Sequence, residues 1–190
     1  VEYEMSTFKV YQPFPLNFFH VSISDWREKK KQLMSLVDWN DPQCQFPDHY
    51  TDYHKHIHAK GGRPPYTEKF ISIFQKELVE FANKNAADIT ITALWAQKYT
   101  HMQNMEPHTH GSHGYSAVLY ADFYGAPQEA TIFWAPFKDP LSSLDHTHCP
   151  KVKQGDLILF PSSLIHWARP NTSDKPRTIF SFNLQFQKRN

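Results

Sequence analysis

With 190 residues, 40% of them hydrophobic and 21% charged, the chain is long enough to bury a sizeable core and reads as one globular unit. A net charge of +1 with no long basic run disfavours a protein that tracks nucleic-acid phosphates. No apolar run is long enough to span a bilayer and no signal-peptide core opens the chain. Its two cysteines, Cys44 and Cys149, form no CxxC, so reduced thiols in a cytoplasmic setting are expected.

The first periodic segment is "SISDWREKKKQLMSLVDW". It offers Ser22 as a cap, with Asp25 three residues on, and places Trp26, Leu33, Met34 and Val37 on or near one helical face. The triplet Lys29–Lys31 reads as the solvated side of that helix. Residues 40–66 are rich in Pro, Asp, His and Gly and read as loop. Within them His54, His56 and His58 are expected on an exposed loop near a substrate entrance. "PYTEKFISIFQKELVEFANKN" keeps a 3.6-residue period through Phe70, Ile71, Phe74, Leu78 and Phe81, which predicts a helix.

After Asp88 the texture changes. "DITITALWAQKY", "YSAVLYADFY", "ATIFWAPF", "GDLILF", "IHWARP" and "RTIFSFNLQFQ" are short, aromatic and β-branched, with turns between them. This predicts a mainly β chain with flanking helices (α+β), a cupin-like double-stranded β-helix or jelly roll with helices over one sheet. The expected organisation is a single domain over 1–190. Residues 1–87 form a helical and loop portion packed on the barrel, and 88–190 form the core. In the last strand Thr178, Phe180, Phe182, Leu184 and Phe186 alternate onto one face, and Arg177, Ile179, Ser181, Asn183 and Gln185 onto the other. In a barrel covered by helices the Phe face packs on those helices, and the Arg177 face points into a polar cavity.

Chemistry concentrates in "EPHTHGSHGYSAVLYADF", where His108, His110 and His113 stand at the mouth of a strand. A further histidine, His166, follows in "GDLILFPSSLIHWARP", and Arg177 comes eleven residues after it. A lone histidine among apolar neighbours is more often a packed core residue than a ligand. The ordered set H-x-H, strands, His, Arg is much rarer than its pieces. No glycine-rich phosphate loop and no G-x-S-x-G elbow appears.

That order resembles the Fe(II)/2-oxoglutarate-dependent oxygenases. "HTHGSHGYSAVLYADF", "GDLILFPSSLIHWARP" and "RTIFSFNLQF" are similar to a subgroup with an HxH...H...R pattern, over roughly residues 88–187. The resemblance implies a double-stranded β-helix, Fe(II) as metal and 2-oxoglutarate as co-substrate. It implies His108 and His166 as metal ligands and Arg177 as the residue that binds the far carboxylate of 2-oxoglutarate. A guanidinium suits that role because it offers two parallel donors and keeps its charge. Tyr120 and Tyr99 match tyrosines near the two ends of the co-substrate, with core tyrosines as the alternative reading. The sequence departs from the family at His110, where a carboxylate is usual. Three readings stay open there: His110 is a ligand, which is preferred; Glu106 or Asp122 supplies the carboxylate; or His110 orients a ligand. His113 reads as a pocket or loop residue. His146 and His148 in "DHTHC" could ligate a metal by composition but have no distant partner.

The activity implied is a dioxygenase, in the usual case a hydroxylase, acting with molecular oxygen on a small molecule or a protein side chain, with no membrane partner; a homo-oligomer stays open. Two other classes compete. A cupin-type three-histidine metalloenzyme would not use 2-oxoglutarate, but the glutamate expected after H-x-H is missing and Arg177 has no task. A non-catalytic jelly-roll binding protein requires the histidines to be incidental.

Overall fold

The computed structural model describes residues 16–60 and 63–189. Among these, ten strands form two antiparallel sheets. The major sheet is built from β1 (Phe19–Ser22), β2 (Tyr50–Thr51), β3 (Ala87–Tyr99), β5 (Tyr115–Asp122), β8 (Asp156–Pro161) and β10 (Arg177–Lys188), in the order β1-β8-β5-β10-β3-β2. The minor sheet runs β4-β9-β6-β7, from β4 (Met105–His108), β6 (Ile132–Lys138), β7 (Asp145–His148) and β9 (Ile165–Ala168). From β3 onward the chain crosses back and forth between the two sheets, with only β6 and β7 consecutive in the same one, as in a jelly roll. Four helices, α1 (Trp26–Met34), α2 (Tyr53–Lys60), α3 (Thr67–Ile73) and α4 (Gln75–Lys84), precede β3. None of the described helices is long and apolar enough to cross a membrane.

β10 organises the barrel. It pairs with β3 on one side, Arg177 opposite Tyr99 and Ser181 opposite Trp95, and with β5 on the other, Phe180 opposite Leu119. The pleat sends Phe180, Phe182 and Leu184 outward into a core shared with Leu33, Phe70, Phe74, Leu78 and Phe81 of the helices. Ile179 points the other way, into a second core with Tyr99, Val118, Tyr120, Phe133 and Phe160 between the two sheets. The alternation read in the last strand is therefore the division between helix-facing and barrel-facing surfaces. A bulge at Asn183/Leu184 shifts the register with β3 beyond that point.

Four local expectations differ from the structure. Ser22 does not cap a helix: it closes β1 and donates to Asp156 Oδ1 at 2.7 Å, while Asp25 takes the cap position without a side-chain bond. The lysine triplet is not a solvated face. Lys29 is buried against Glu77, with its Nζ 2.7 and 2.9 Å from the two carboxylate oxygens, and Lys30 reaches Asp122 at 2.6 Å. The helix expected from Thr67 onward is two, meeting at Phe74. There φ −108° and ψ 18° kink the axis while the Phe74 N–H still reaches Phe70 O at 3.1 Å. The kink lets the rings of Phe70 and Phe74 pack together, their centroids 4.8 Å apart.

Residues 40–66 hold a short 3₁₀ turn (Pro42–Cys44), β2 and α2 rather than loop alone. Asp52 anchors this excursion. Its carboxylate accepts from Tyr66 Oη at 2.6 Å and from the Ala96 N–H at 2.8 Å. His54 and His56 lie on α2, His54 exposed and His56 buried. The side chain of His58 lies outside the described residues.

Candidate metal centre

The minor sheet brings the distant histidines together. β4 pairs with β9 so that His108 stands opposite His166, and Phe133 of β6 stands opposite His166 on its other side. His110 follows β4, and its N–H bonds to Ser162 O at 2.9 Å, which pins the H-x-H turn to the end of β8. One ligand-capable nitrogen from each of His108, His110 and His166 lies within 4.8 Å of the others. Among the described residues no other group of three or more His, Cys, Asp or Glu side chains is so placed.

The carboxylate alternatives do not join this cluster. Asp122 is tied to Lys30, and Glu106 is exposed and contributes only its backbone carbonyl. His113 is exposed, 3.3 Å from Gln185 Nε2. His146 and His148 sit on the exposed strand β7, where His146 meets Asp139 at 3.3 Å.

Backbone carbonyls set the imidazole tautomers. His108 Nδ1 lies 2.7 Å from Glu106 O, and His166 Nδ1 lies 2.9 Å from Leu164 O. Each Nδ1 therefore carries the proton it donates, and each Nε2 keeps a bare lone pair. His110 Nε2 is only 3.1 Å from His166 Nε2. Two lone pairs facing at that distance repel unless a proton or a cation lies between them. Burial, then the neighbouring imidazoles His166 and His108, push the His110 pKa down to about 3. Burial and His108 push His166 to about 4. Both rings are thus neutral ligands near pH 7.

The mouth is held by residues whose importance lay hidden in motif positions. Ser116 Oγ donates to Asn183 Oδ1 at 2.9 Å and lies 2.9 Å from Ser162 Oγ, tying β5, β8 and β10 together behind the H-x-H turn. Gly114 has φ +84°, and a Cβ there would fall 2.3 Å from Leu184 O. Gly114→Ala should therefore cost about 1–3 kcal/mol from backbone strain alone, and more from the clash. Urea unfolding checks this; an unchanged midpoint would mean the mouth is not built as described.

Arg177 is 2% exposed and is not among the residues that line the space beside the three histidines. Its Nη1 donates to Glu129 O at 2.8 Å and its Nη2 to Arg169 O at 3.1 Å, both carbonyls flanking the minor sheet. Its guanidinium carbon stands 4.7 Å from the centroid of the Tyr99 ring. Neither of these partners is a carboxylate; the Glu129 side chain pairs instead with exposed Arg169, 3.2 Å away. Tyr120 Oη accepts the Thr131 N–H at 3.0 Å, which leaves its own proton free to donate. Tyr99 and Thr131 line the small chamber beside the three histidines.

That chamber holds about 20 Å³ of free space. An outer vestibule of about 260 Å³, walled by His49, Thr51, Tyr53, His54 and Thr109, adjoins it. The two spaces share Trp95, Gln97, Met105, His108 and His110, which form the neck between them.

Residues 93–183 match the model of the family described as "Putative 2OG-Fe(II) oxygenase". Over that stretch, which is just under half of its length, the chain is similar to the 2OG-Fe(II) oxygenases. No curated protein matches. Solved structures show the fold. The chain is similar to HygX from Streptomyces hygroscopicus with nickel and 2-oxoglutarate bound, at 13% identity and TM-score 0.63, covering 89% of this chain and 82% of that one. It is similar to the viral collagen prolyl hydroxylase of Paramecium Bursaria Chlorella virus-1 at 14% identity and TM-score 0.59, covering 88% and 94%. It also resembles the α-ketoglutarate-dependent epimerase SnoN of nogalamycin biosynthesis at 10% identity and TM-score 0.63, covering 88% and 76%.

Oxygenases of that family use iron and 2-oxoglutarate, and the residues of this chain meet the two differently. Two carbonyl-fixed imidazoles and the close approach of His110 Nε2 to His166 Nε2 suit a divalent ion. The chamber, as described, has room for little more than a water-sized object. Admitting 2-oxoglutarate requires side chains of its wall to move.

Proposed function

We propose that this oxygenase is a 2-oxoglutarate-dependent hydroxylase, with the described chain acting as one catalytic unit and with His108, His110 and His166 as its iron ligands. The observation that carries this reading is the convergence of three imidazoles within 4.8 Å, in a fold that also buries a guanidinium bonded to two backbone carbonyls. Iron with 2-oxoglutarate and dioxygen supplies the oxidising chemistry of this enzyme class.

The chain's own residues bind, orient and exclude water. Glu106 O and Leu164 O hold the Nδ1 protons and so aim two Nε2 lone pairs at one point. Arg177 supplies the positive charge for the distal carboxylate of 2-oxoglutarate, which it would receive through donors that the two carbonyls leave unused. Tyr120 adds the hydroxyl proton left free by Thr131. Ile179, Val118 and Trp95 line the chamber with apolar surface, which keeps bulk water from a centre meant to oxidise only its substrate. The vestibule takes the primary substrate; the small-molecule and peptidyl classes both fit an opening of about 260 Å³.

The test is spectroscopic. Fe(II) and 2-oxoglutarate added to the protein without oxygen should give the weak visible metal-to-ligand charge-transfer band of a chelated keto acid. Bound iron without that band would overturn the 2-oxoglutarate assignment, and no iron binding would overturn the three-histidine centre.

A further inference from the structure

The chamber beside the histidines is too small for the co-substrate. Its free space of about 20 Å³ suits a water-sized object, whereas 2-oxoglutarate is a five-carbon diacid. Part of the wall has to give way, and burial narrows the choice. Of the residues that line the chamber, only Met105, His108, His110 and Trp167 are partly exposed; the others, Trp95, Gln97 and Tyr99 among them, are buried. His108 and His110 are candidate metal ligands. Trp167 lines the chamber but not the vestibule, and its ring packs on that of Trp134 at 5.7 Å. Met105 lines both spaces and so stands in the neck. The two remaining side chains of the neck are held in place. Trp95 packs against the rings of His110 and Tyr53, each 5.2 Å away. Gln97 Oε1 accepts from Ser181 Oγ at 3.4 Å, and its Nε2 lies 3.5 Å from His49 Nε2. Met105 has no such tie. It lies on the edge strand β4, packs only partly buried against the core between the sheets, and carries an unbranched side chain with three rotatable bonds.

We propose that Met105 is the gate of the neck: its side chain turns aside to let 2-oxoglutarate pass from vestibule to chamber, and so sets how fast the co-substrate enters. This rests on the hydroxylase reading above. The way beyond the gate leads toward the buried charge. Tyr99 lines the chamber, and the guanidinium carbon of Arg177 stands 4.7 Å from the centroid of its ring. A diacid that offers one end to the histidines and the other to Arg177 has to occupy the chamber between them. A thioether chain suits a gate because it changes rotamer at low cost and repacks over what has passed, which keeps water out. A β-branched side chain of similar volume fills the same space but turns poorly, because its χ1 is restricted. An alanine leaves the neck open.

The rate at which the charge-transfer band forms reads the gate. The Fe(II)-loaded chain is mixed rapidly with 2-oxoglutarate in the absence of oxygen. Met105→Ala should form the band about tenfold faster than the wild type, and Met105→Ile about tenfold more slowly. Fe(II) affinity and the unfolding midpoint are measured beside each rate, and iron should bind both variants as it binds the wild type. Wild-type rates in both variants, with iron bound, overturn the proposal and leave the hydroxylase reading standing. A faster band in Trp167→Ala with the Met105 variants unchanged places the opening in the minor sheet and also overturns it. No band in the wild type means that the hydroxylase reading fails and takes this one with it. A second measurement keeps the native side chain. With Zn(II) in place of iron and isotope-labelled methionine methyl groups, the Met105 signal, identified by its loss in Met105→Ile, should move when 2-oxoglutarate binds. The signal of Met34, packed on the helix-facing core, should stay. A Met105 signal that stays in place while 2-oxoglutarate is bound overturns the gate.

Discussion

His166→Ala should lower Fe(II) affinity by on the order of 100-fold or more, since even outer partners of a metal ligand are worth 10–100-fold. His166 is the ligand candidate brought from farthest away in the chain. It stands opposite His108 in the minor sheet, and its Nδ1 proton is held by Leu164 O. The remaining pair, His108 and His110, sits two residues apart on one turn and cannot surround an ion from two sides. Competition with a chelator, followed by Co(II) absorption, checks the loss. A buried imidazole replaced by a methyl group also leaves a cavity, so the unfolding midpoint must be measured beside it. His110→Asp separates ligation from packing. It restores the usual family carboxylate at the position nearest His166 Nε2, and should keep Fe(II) bound with the added favour of one negative charge. Retained affinity in His166→Ala, or loss in His110→Asp with the fold intact, would refute the three-imidazole centre.

Arg177→Ala should act twice. Its guanidinium bonds Glu129 O and Arg169 O and so joins β10 of the major sheet to segments flanking the minor one. Two hydrogen bonds from a charged donor contribute about 1.5–3 kcal/mol each, so the variant should lose about 3 kcal/mol or more of stability. It should also bind 2-oxoglutarate about 100-fold more weakly, the value of one charge-assisted pair, while iron binding is unchanged. Denaturant unfolding reads the first effect, and titration of the charge-transfer band with 2-oxoglutarate reads the second. Arg177→Lys keeps the charge without the fork. It should recover part of the affinity while failing to bridge both carbonyls. If 2-oxoglutarate affinity is untouched in a folded Arg177→Ala protein, the residue is a strut alone.

The bonds of Arg177 to Glu129 O and Arg169 O replace the simple picture of a side chain pointing into an open cavity. The alternation of β10 places it on the barrel side correctly, because the side-chain period of a strand is two. Its partners are backbone carbonyls, which leave no trace in residue type. The same limit hid Glu106 O and Leu164 O, the groups that set the tautomers of His108 and His166. Lys29 looked like one of three solvated lysines because Glu77, its partner, lies 48 positions away on another helix. The two-residue strand β2 and the edge strands β4 and β7 were too short to show a period, and β7 carries only polar, exposed side chains.

What the chain of residues determined alone was the jelly-roll class, the division of β10 into a helix-facing and a barrel-facing side, and the set of residues worth watching: His108, His110, His166 and Arg177. Periodicity and short motifs are local properties, so they survive in one dimension. What the tertiary structure decided was convergence. Only strand pairing across the minor sheet puts His108 opposite His166, and only the turn pinned at Ser162 swings His110 toward both. Distances between segments far apart in the chain are set by sheet order and packing, which no single segment encodes.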